Sequence, residues 1–213
     1  MNAGRLARWA VPSSCPLCRS SLGPDALICG GCVRELNRSQ VLRGDPPEGV
    51  DRISSCADHD GTARDLLAAF KFRRMTGLSG LIAGFMLDAL DTAGPETLIT
   101  GVPPARLRTW IRGFDPVALL VAGIADGSDV SLPVKPLLRR HGAGRQRGQD
   151  RAGRLARPPD IRPAKDSGRL IGGREVILVD DVMTTGATLS ASAAALRLAG
   201  AGTVSALTFT RRL

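Results

Sequence analysis

A chain of 213 residues has room for one α/β domain with a small appendage. Hydrophobic residues make up 43%, enough for a core, but aromatics only 3% with no tyrosine, so that core must be built from Ala, Val, Leu and Ile. The net charge of +9 favours a polyanionic partner or an anionic substrate as a field effect, and no apolar run reaches the length of a membrane span.

Residues 1–14 are basic, lack a convincing period and read as a frayed terminus. Arg5 and Arg8 are followed by Pro12 and Ser13-Ser14, which interrupt any signal-like apolar region, so a cytoplasmic location is expected. Cys15-Pro16-Leu17-Cys18 and Cys29-Gly30-Gly31-Cys32 then form two C-x-x-C turns separated by ten residues. Two such turns can offer four thiolates to one tetrahedral ion, the arrangement of a structural zinc site. With all four corners filled by protein no position remains for a catalytic water. Disulfides are disfavoured in a reducing cytoplasm, and a redox pair needs only one C-x-x-C. So small a module buries little core, and the metal would supply its folding energy.

Asp45-Pro46-Pro47-Glu48-Gly49 reads as a linker, dividing a tail and zinc module (1–44) from a main domain (50–213). Cys56 has no partner motif and is expected to be a small buried side chain; His59 is isolated. Thr62-Ala63-Arg64-Asp65 fits a helix start with Thr62 as cap, followed by an apolar face of Leu66, Leu67 and Phe70. Lys71, Arg73 and Arg74 follow, and Thr76-Gly77 breaks the helix. This basic hinge reads either as a solvated face or as a contact for phosphate. Leu81, Ile82, Phe85, Met86, Ala89 and Leu90 hold a helical period from Leu78 onward.

Leu98 to Val102 reads as a strand ending in Pro103-Pro104, followed by Arg106, Arg108 and Arg112 and then Gly113-Phe114-Asp115. A guanidinium-rich loop at a strand's carboxyl end is where a pyrophosphate could be neutralised. A helix over 116–125 and a strand over 134–138 are expected next. Residues 139–157 contain seven arginines, including Arg145, Arg147 and Arg151, with Gly142, Gly144 and Gly148. This span reads equally as a mobile basic loop leading into a short helix or as a disordered insertion.

Val176-Ile177-Leu178-Val179 is a short apolar, β-branched run after Gly172-Gly173, as expected of a buried parallel strand. Asp180 and Asp181 stand where that strand would end, followed by Thr184-Thr185-Gly186-Ala187-Thr188 and a helix over 189–199. In open α/β sheets ligands bind beyond the carboxyl ends of the strands, and free N–H groups at a helix start suit a phosphate. The competing reading is a strand–turn–helix whose acids merely cap the helix. A last strand over 203–210 follows a helix stopped by Gly200. The alternation from residue 98 onward gives an α/β fold with a mostly parallel sheet flanked by helices.

The stretch Val176–Thr188 resembles the phosphoribosyl pyrophosphate signature of the type I phosphoribosyltransferase family. The resemblance implies that Asp180 and Asp181 contact ribose hydroxyls and that Thr184, Thr185, Gly186, Ala187 and Thr188 cradle the 5′-phosphate. The four-cysteine module, Phe70-Lys71-Phe72, Val102-Pro103-Pro104-x-Arg106, Arg112-Gly113-Phe114, the Arg/Gln-rich loop and this signature occur in one order. That order, from Cys15 to Arg211, resembles the ComF family, phosphoribosyltransferase-like proteins associated with bacterial competence for DNA uptake. It implies phosphoribosyl pyrophosphate or a related sugar phosphate as ligand, with magnesium, and possible transfer to an acceptor that no residue identifies. Asp180, Asp181 and Arg106 would serve that chemistry, with Val102, Pro103 and Arg112 among the ligand contacts. The other class of function it implies is an interaction protein of the uptake machinery, binding single-stranded DNA and competence proteins. Arg145 and Gln149 keep the family's R-x-x-x-Q spacing. Asp115-Pro116 departs from its usual Asn-Gln, and an acid among the arginines weakens the anion field there.

Overall fold

The computed structural model describes residues 14–39, 41–90, 93–94, 96–141 and 159–212, with the side chains of Arg106 and Arg108 left aside. The arginine-rich stretch with Arg145, Arg147, Gln149 and Arg151, and the glycines Gly142, Gly144 and Gly148, lie outside the described residues. A five-stranded sheet forms the centre, in the order β1-β2-β7-β6-β3. Its strands are β1 (Leu42–Arg43), β2 (Arg52–Asp58), β3 (Leu98–Gly101), β6 (Glu175–Met183) and β7 (Thr203–Arg211). Only the β1–β2 pairing is antiparallel; β2–β7, β7–β6 and β6–β3 run parallel. The expected fold class, a mostly parallel α/β sheet with an N-terminal cysteine cluster, is therefore what the chain adopts.

The interior of β6 is apolar on both sides, because each face is covered. Alternation sends Ile177 and Val179, with Leu207 and Phe209 of β7, into one core. There they meet α2 (Gly61–Phe72), α3 (Ser79–Ala89) and α5 (Pro116–Gly127), and the same core takes in Cys15, Ile28, Cys32 and Leu36 of the N-terminal module. Val176, Leu178, Val204 and Ala206 face the other core, which includes residues of α6 (Ser167–Ile171) and α7 (Ala187–Leu198). The helix α1 (Gly30–Arg38) begins inside the second cysteine turn and packs against α2. Aromatic groups are few, and Phe70 and Phe209 are the two fully buried among the described residues.

Three local expectations change, and one strand was not anticipated. The strand β6 does not stop before the acids: its ladder with β7 continues through Val182↔Thr210 and Met183↔Arg211. The cap of α2 falls on Asp60, not Thr62, with no side-chain cap bond. The segment expected as a strand over 134–138 makes one bridge, Val134 to Ile99, because Pro133 and Pro136 withdraw donors from a ladder. Pairing resumes beyond them, where β4 (Leu138–Arg140) and β5 (Ile161–Pro163) form a separate antiparallel pair. Finally, β2, whose Arg-Ile-Ser-Ser-Cys-Ala-Asp sequence lacks a strand pattern, lies inside the sheet, and its Cys56 is buried as expected.

Candidate sugar-phosphate site and metal centre

The metal centre is the more local of the two sites. The Cys15 and Cys32 sulfurs lie 3.8 Å apart and those of Cys18 and Cys29 3.4 Å apart, with all four within 4.8 Å. Four thiolates around one zinc at about 2.3 Å stand about 3.8 Å from one another, so the cluster fits that ion. The first turn is closed by Cys15 N–H donating to Ser20 O (2.7 Å) and Arg19 N–H to Cys15 O (2.9 Å). Cys29 N–H points at the Cys15 sulfur, 3.4 Å away. Hydrogen bonding from Ser20, and then from the neighbouring cysteines, draws the Cys18 thiol down to about 6, while burial pushes Cys32 up. A thiol that loses its proton this readily offers a metal a thiolate. The module is fastened to the main domain where Arg73 Nη2 donates to Pro16 O at 2.7 Å.

The second site lies at the carboxyl ends of the parallel strands. Because β6 alternates, Asp181 continues the face of Ile177 and Val179, toward α2, and Asp180 the face of Val176 and Leu178. Asp181 Oδ1 meets Lys71 Nζ at 2.7 Å, and both side chains are largely shielded, 13% and 12% exposed. Asp180 Oδ1 accepts from the Asp181 N–H at 2.8 Å. Burial, and then the charge of Asp181, push the Asp180 carboxyl up to about 8, with Lys71 and Arg140 opposing the rise.

Past Met183 the chain turns through exposed Thr184 and Thr185 into α7. Gly186 caps that helix at φ +74°, a left-handed conformation, and a β-carbon there would meet Pro47 Cγ at 2.8 Å. Only glycine fits both demands. No side chain caps α7 and no acid stands in its first turn. The one nearby hydroxyl contact is long, Ala187 N–H to Thr185 Oγ1 at 3.5 Å. The amides of the first turn, with Thr188 half-buried beside them, thus remain available to an anion.

The β3 end completes the rim. Val102 is buried and donates its N–H to Val179 O at 2.8 Å, which sets Pro103 beside β6. Arg140 Nη1 donates to Pro103 O at 3.4 Å. Arg106 opens α4 (Arg106–Arg112). Arg112, at its end, lies over the Phe72 ring, 5.2 Å from the centroid. Asp115 is a helix cap: its Oδ1 accepts from Val117 N–H (3.0 Å) and Ala118 N–H (3.3 Å), with Pro116 at the first helical position. That role accounts for Asp-Pro after the R-G-F segment. Burial nonetheless raises the Asp115 carboxyl, with the Asp181 charge adding to the rise.

The structure gathers the acids, the Thr/Gly turn and the Val102-Pro103 bend at one rim, and adds two cations there: Lys71 of the basic hinge, whose partner is a carboxylate, and Arg140, which sequence reading did not single out. The F-K-F segment is the junction. Phe70 packs on Phe114, ring centroids 5.6 Å apart; Lys71 holds Asp181; Phe72 carries Arg112. His59, at the end of β2, also reaches this rim, its Nδ1 2.9 Å from Thr210 Oγ1. Burial and then the charge of Lys71 hold its imidazole below the ordinary range.

Magnesium, which the resemblance implies, meets a donor set that does not fit direct coordination. One Asp181 oxygen is engaged by an ammonium and one Asp180 oxygen by a backbone N–H. Among the described residues, the cysteines are the one group of three or more metal-type ligands that converge.

No protein-family model matches the chain. It is similar to the DNA utilization protein YhgH of Escherichia coli O157:H7, 28% identical over 212 residues, covering 93% of this chain and 89% of that protein. The YhgH protein of Salmonella typhi is 27% identical over 201 residues, covering 90% of this chain and 81% of its own. Among solved structures, the allosteric regulatory enzyme of purine biosynthesis aligns with a TM-score of 0.42 and 21% identity over 61% of this chain. The glutamine phosphoribosylpyrophosphate amidotransferase of B. subtilis gives the same TM-score and identity over 60%. This chain spans a quarter of the length of either structure.

Proposed function

We propose that the rim binds phosphoribosyl pyrophosphate or a related sugar phosphate, in a ComF-like phosphoribosyltransferase domain (50–213) preceded by a structural zinc module (1–44) and working in the cytoplasm. The observation that carries this reading is the joint placement of an uncapped helix N-terminus and two carboxylates at the same strand end. First-turn amides of α7, with Thr184, Thr185 and Thr188, would hold the 5′-phosphate. Asp180 and Asp181 would accept hydrogen bonds from the ribose hydroxyls. Arg106, Arg112 and the Val102-Pro103 bend would lie toward the pyrophosphate. In transfer, the bond from C1 of the ribose to the pyrophosphate oxygen breaks, the electron pair leaves with pyrophosphate, and an acceptor nucleophile bonds to C1. Positioning and neutralisation of the leaving charge carry such a step. The test is a calorimetric titration with phosphoribosyl pyrophosphate of wild type and the Asp180→Asn, Asp181→Asn double variant. Saturable binding lost in a folded variant supports the site; equal binding by both refutes it.

A second reading, single-stranded DNA binding within an uptake machinery, is favoured by one surface. Trp110 is 82% exposed and Leu107 67% on α4, and Phe72 is 69% exposed under Arg112. Exposed aromatic faces beside guanidinium groups suit base stacking and phosphate contact. Its support also includes the names of the relatives, DNA utilization proteins. Trp110→Ala should weaken oligonucleotide binding by about tenfold, as loss of one stacking platform does. An unchanged affinity removes this surface from the account. Substituting Arg145 and Arg147, outside the described residues, should flatten the salt dependence.

A further inference from the structure

Among the described ion pairs, Lys71–Asp181 is the one in which both partners are shielded from water. Withdrawing two charges from water costs more than an average pair returns, so such a pair is poorly explained as a device for stability. Its position is fixed from both sides. Phe70 is fully buried against Phe114, and Phe72 is held beneath Arg112, so the backbone of α2 can aim the intervening lysine in one direction. That direction is the end of β6. There the charge of Asp181 opposes that of Asp180 and, on the other side, that of Asp115. A divalent ion bound by these carboxylates would have to displace the ammonium or share Asp181 with it at a few ångströms.

We infer that Lys71 is the resident cation of the Asp180–Asp181 pair, so that the site takes the ribose 5-phosphate portion of its ligand without a divalent metal on its carboxylates. This rests on the sugar-phosphate reading given above. An ammonium has three donors and Asp181 Oδ1 occupies one, which leaves others for a ribose hydroxyl or a phosphate oxygen. The cation thus neutralises the acids in the free protein and becomes a ligand contact in the complex. Lysine suits that double part better than arginine, whose planar fork would lock onto one carboxylate.

Ribose 5-phosphate is the probe, because it lacks the pyrophosphate through which magnesium could be carried in. It is titrated calorimetrically into the zinc-loaded full chain, in magnesium-free buffer and with millimolar magnesium, and without chelator so that the cysteine site keeps its metal. Wild type should bind with dissociation constants that agree within about twofold, far below the tenfold that 1.4 kcal/mol represents. Lys71→Met should weaken magnesium-free binding by at least about tenfold, with partial recovery in magnesium as the ion replaces the lost charge. Lys71→Arg, which keeps a cation, should bind equally with and without magnesium, and circular dichroism reports whether each variant is folded. Wild-type binding that appears only with magnesium overturns this inference and leaves the sugar-phosphate reading standing. So does magnesium-free binding by Lys71→Met at wild-type strength. Absence of binding in both buffers overturns the inference and the reading together.

Discussion

The molecule gathers like-charged ligand groups in two places and treats them differently. At the N-terminal module four cysteine sulfurs face one another within 4.8 Å. At the strand ends two carboxylates sit side by side, and one of them faces Lys71 at 2.7 Å. The first cluster can become a closed tetrahedral unit only with an ion from outside, which offsets part of the thiolate charge. The second carries its counter-charge in the chain. On the readings proposed above, metal would belong to folding in one region, whereas in the other the chain itself supplies a cation, Lys71, to the carboxylates. The two regions are joined: Arg73, two residues beyond Lys71, is tied to Pro16 in the first cysteine turn, and Pro47 of the linker rests against Gly186 of the Thr/Gly turn.

The largest effect is expected at the cysteines. Cys32→Ser removes a buried ligand that also belongs to the main core. Structural zinc contributes folding free energy on the order of 10 kcal/mol in small modules, so this variant should lose its metal and much of its cooperative unfolding. Metal analysis with a thermal melt checks it; a metal-free variant that melts like wild type would separate the module from the fold.

Breaking the other counter-charge should cost less. Lys71→Met leaves shielded carboxylates without their cation, a loss of about 3 kcal/mol for a buried pair, measured by urea unfolding at pH 8. An unchanged midpoint would mean that the pair has no structural coupling to β6.

The acids should also set a pH dependence. The folded-state value of Asp180, about 8, lies above its ordinary carboxyl value, so the folded chain binds more protons than the unfolded one in between. Its contribution is fully present below about pH 4 and is lost as pH rises to 8. Asp180→Asn should therefore stabilise the protein increasingly over that window, by on the order of 2 kcal/mol at pH 8, discounted for its partial exposure and its coupling to Asp181. Urea midpoints of both proteins at pH 5 and 8 measure this. A gain that is constant or shrinks with pH would contradict it. Such a gain paid in ligand affinity is the usual relation of stability to a functional site.

Two smaller effects sharpen the geometry. Gly186→Ala forces a β-carbon into left-handed backbone and against Pro47, for about 1–2 kcal/mol of lost stability with weakened phosphate binding. Asp115→Ala removes a helix cap, about 1 kcal/mol, and should leave sugar-phosphate affinity within about twofold. A large loss of affinity in the Asp115 variant would return that acid to the site.

What could be read from the sequence was whatever lies close together in it. The four cysteines converge as their spacing predicts, and Val176–Val179 forms a buried parallel strand as its apolar run predicts. Cys56 is buried, as a partnerless cysteine in an apolar setting should be. The pairing of Lys71 with Asp181 was not legible, because the two are far apart in sequence, and the basic hinge reads on its own helix as a solvated face or a phosphate contact. The extension of β6 through the acids depends on β7 being equally long, which the string itself does not contain. The strand β2 has two adjacent serines and no alternation; it exists because β7 offers it a parallel edge, with Ser55 Oγ and Thr208 Oγ1 satisfying each other at 2.7 Å. Asp115 looked like a flaw in an anion loop and is a cap for the next helix.

The most direct measurement is to map phosphoribosyl pyrophosphate onto the zinc-loaded protein by amide nuclear magnetic resonance. The account predicts that the largest shifts fall on the amides of 184–188 and on Asp180 and Asp181, and that they saturate with a single dissociation constant. Shifts confined to the neighbourhood of Phe72 and Trp110, or none at millimolar ligand, would contradict it and leave the strand-end acids without a sugar to hold.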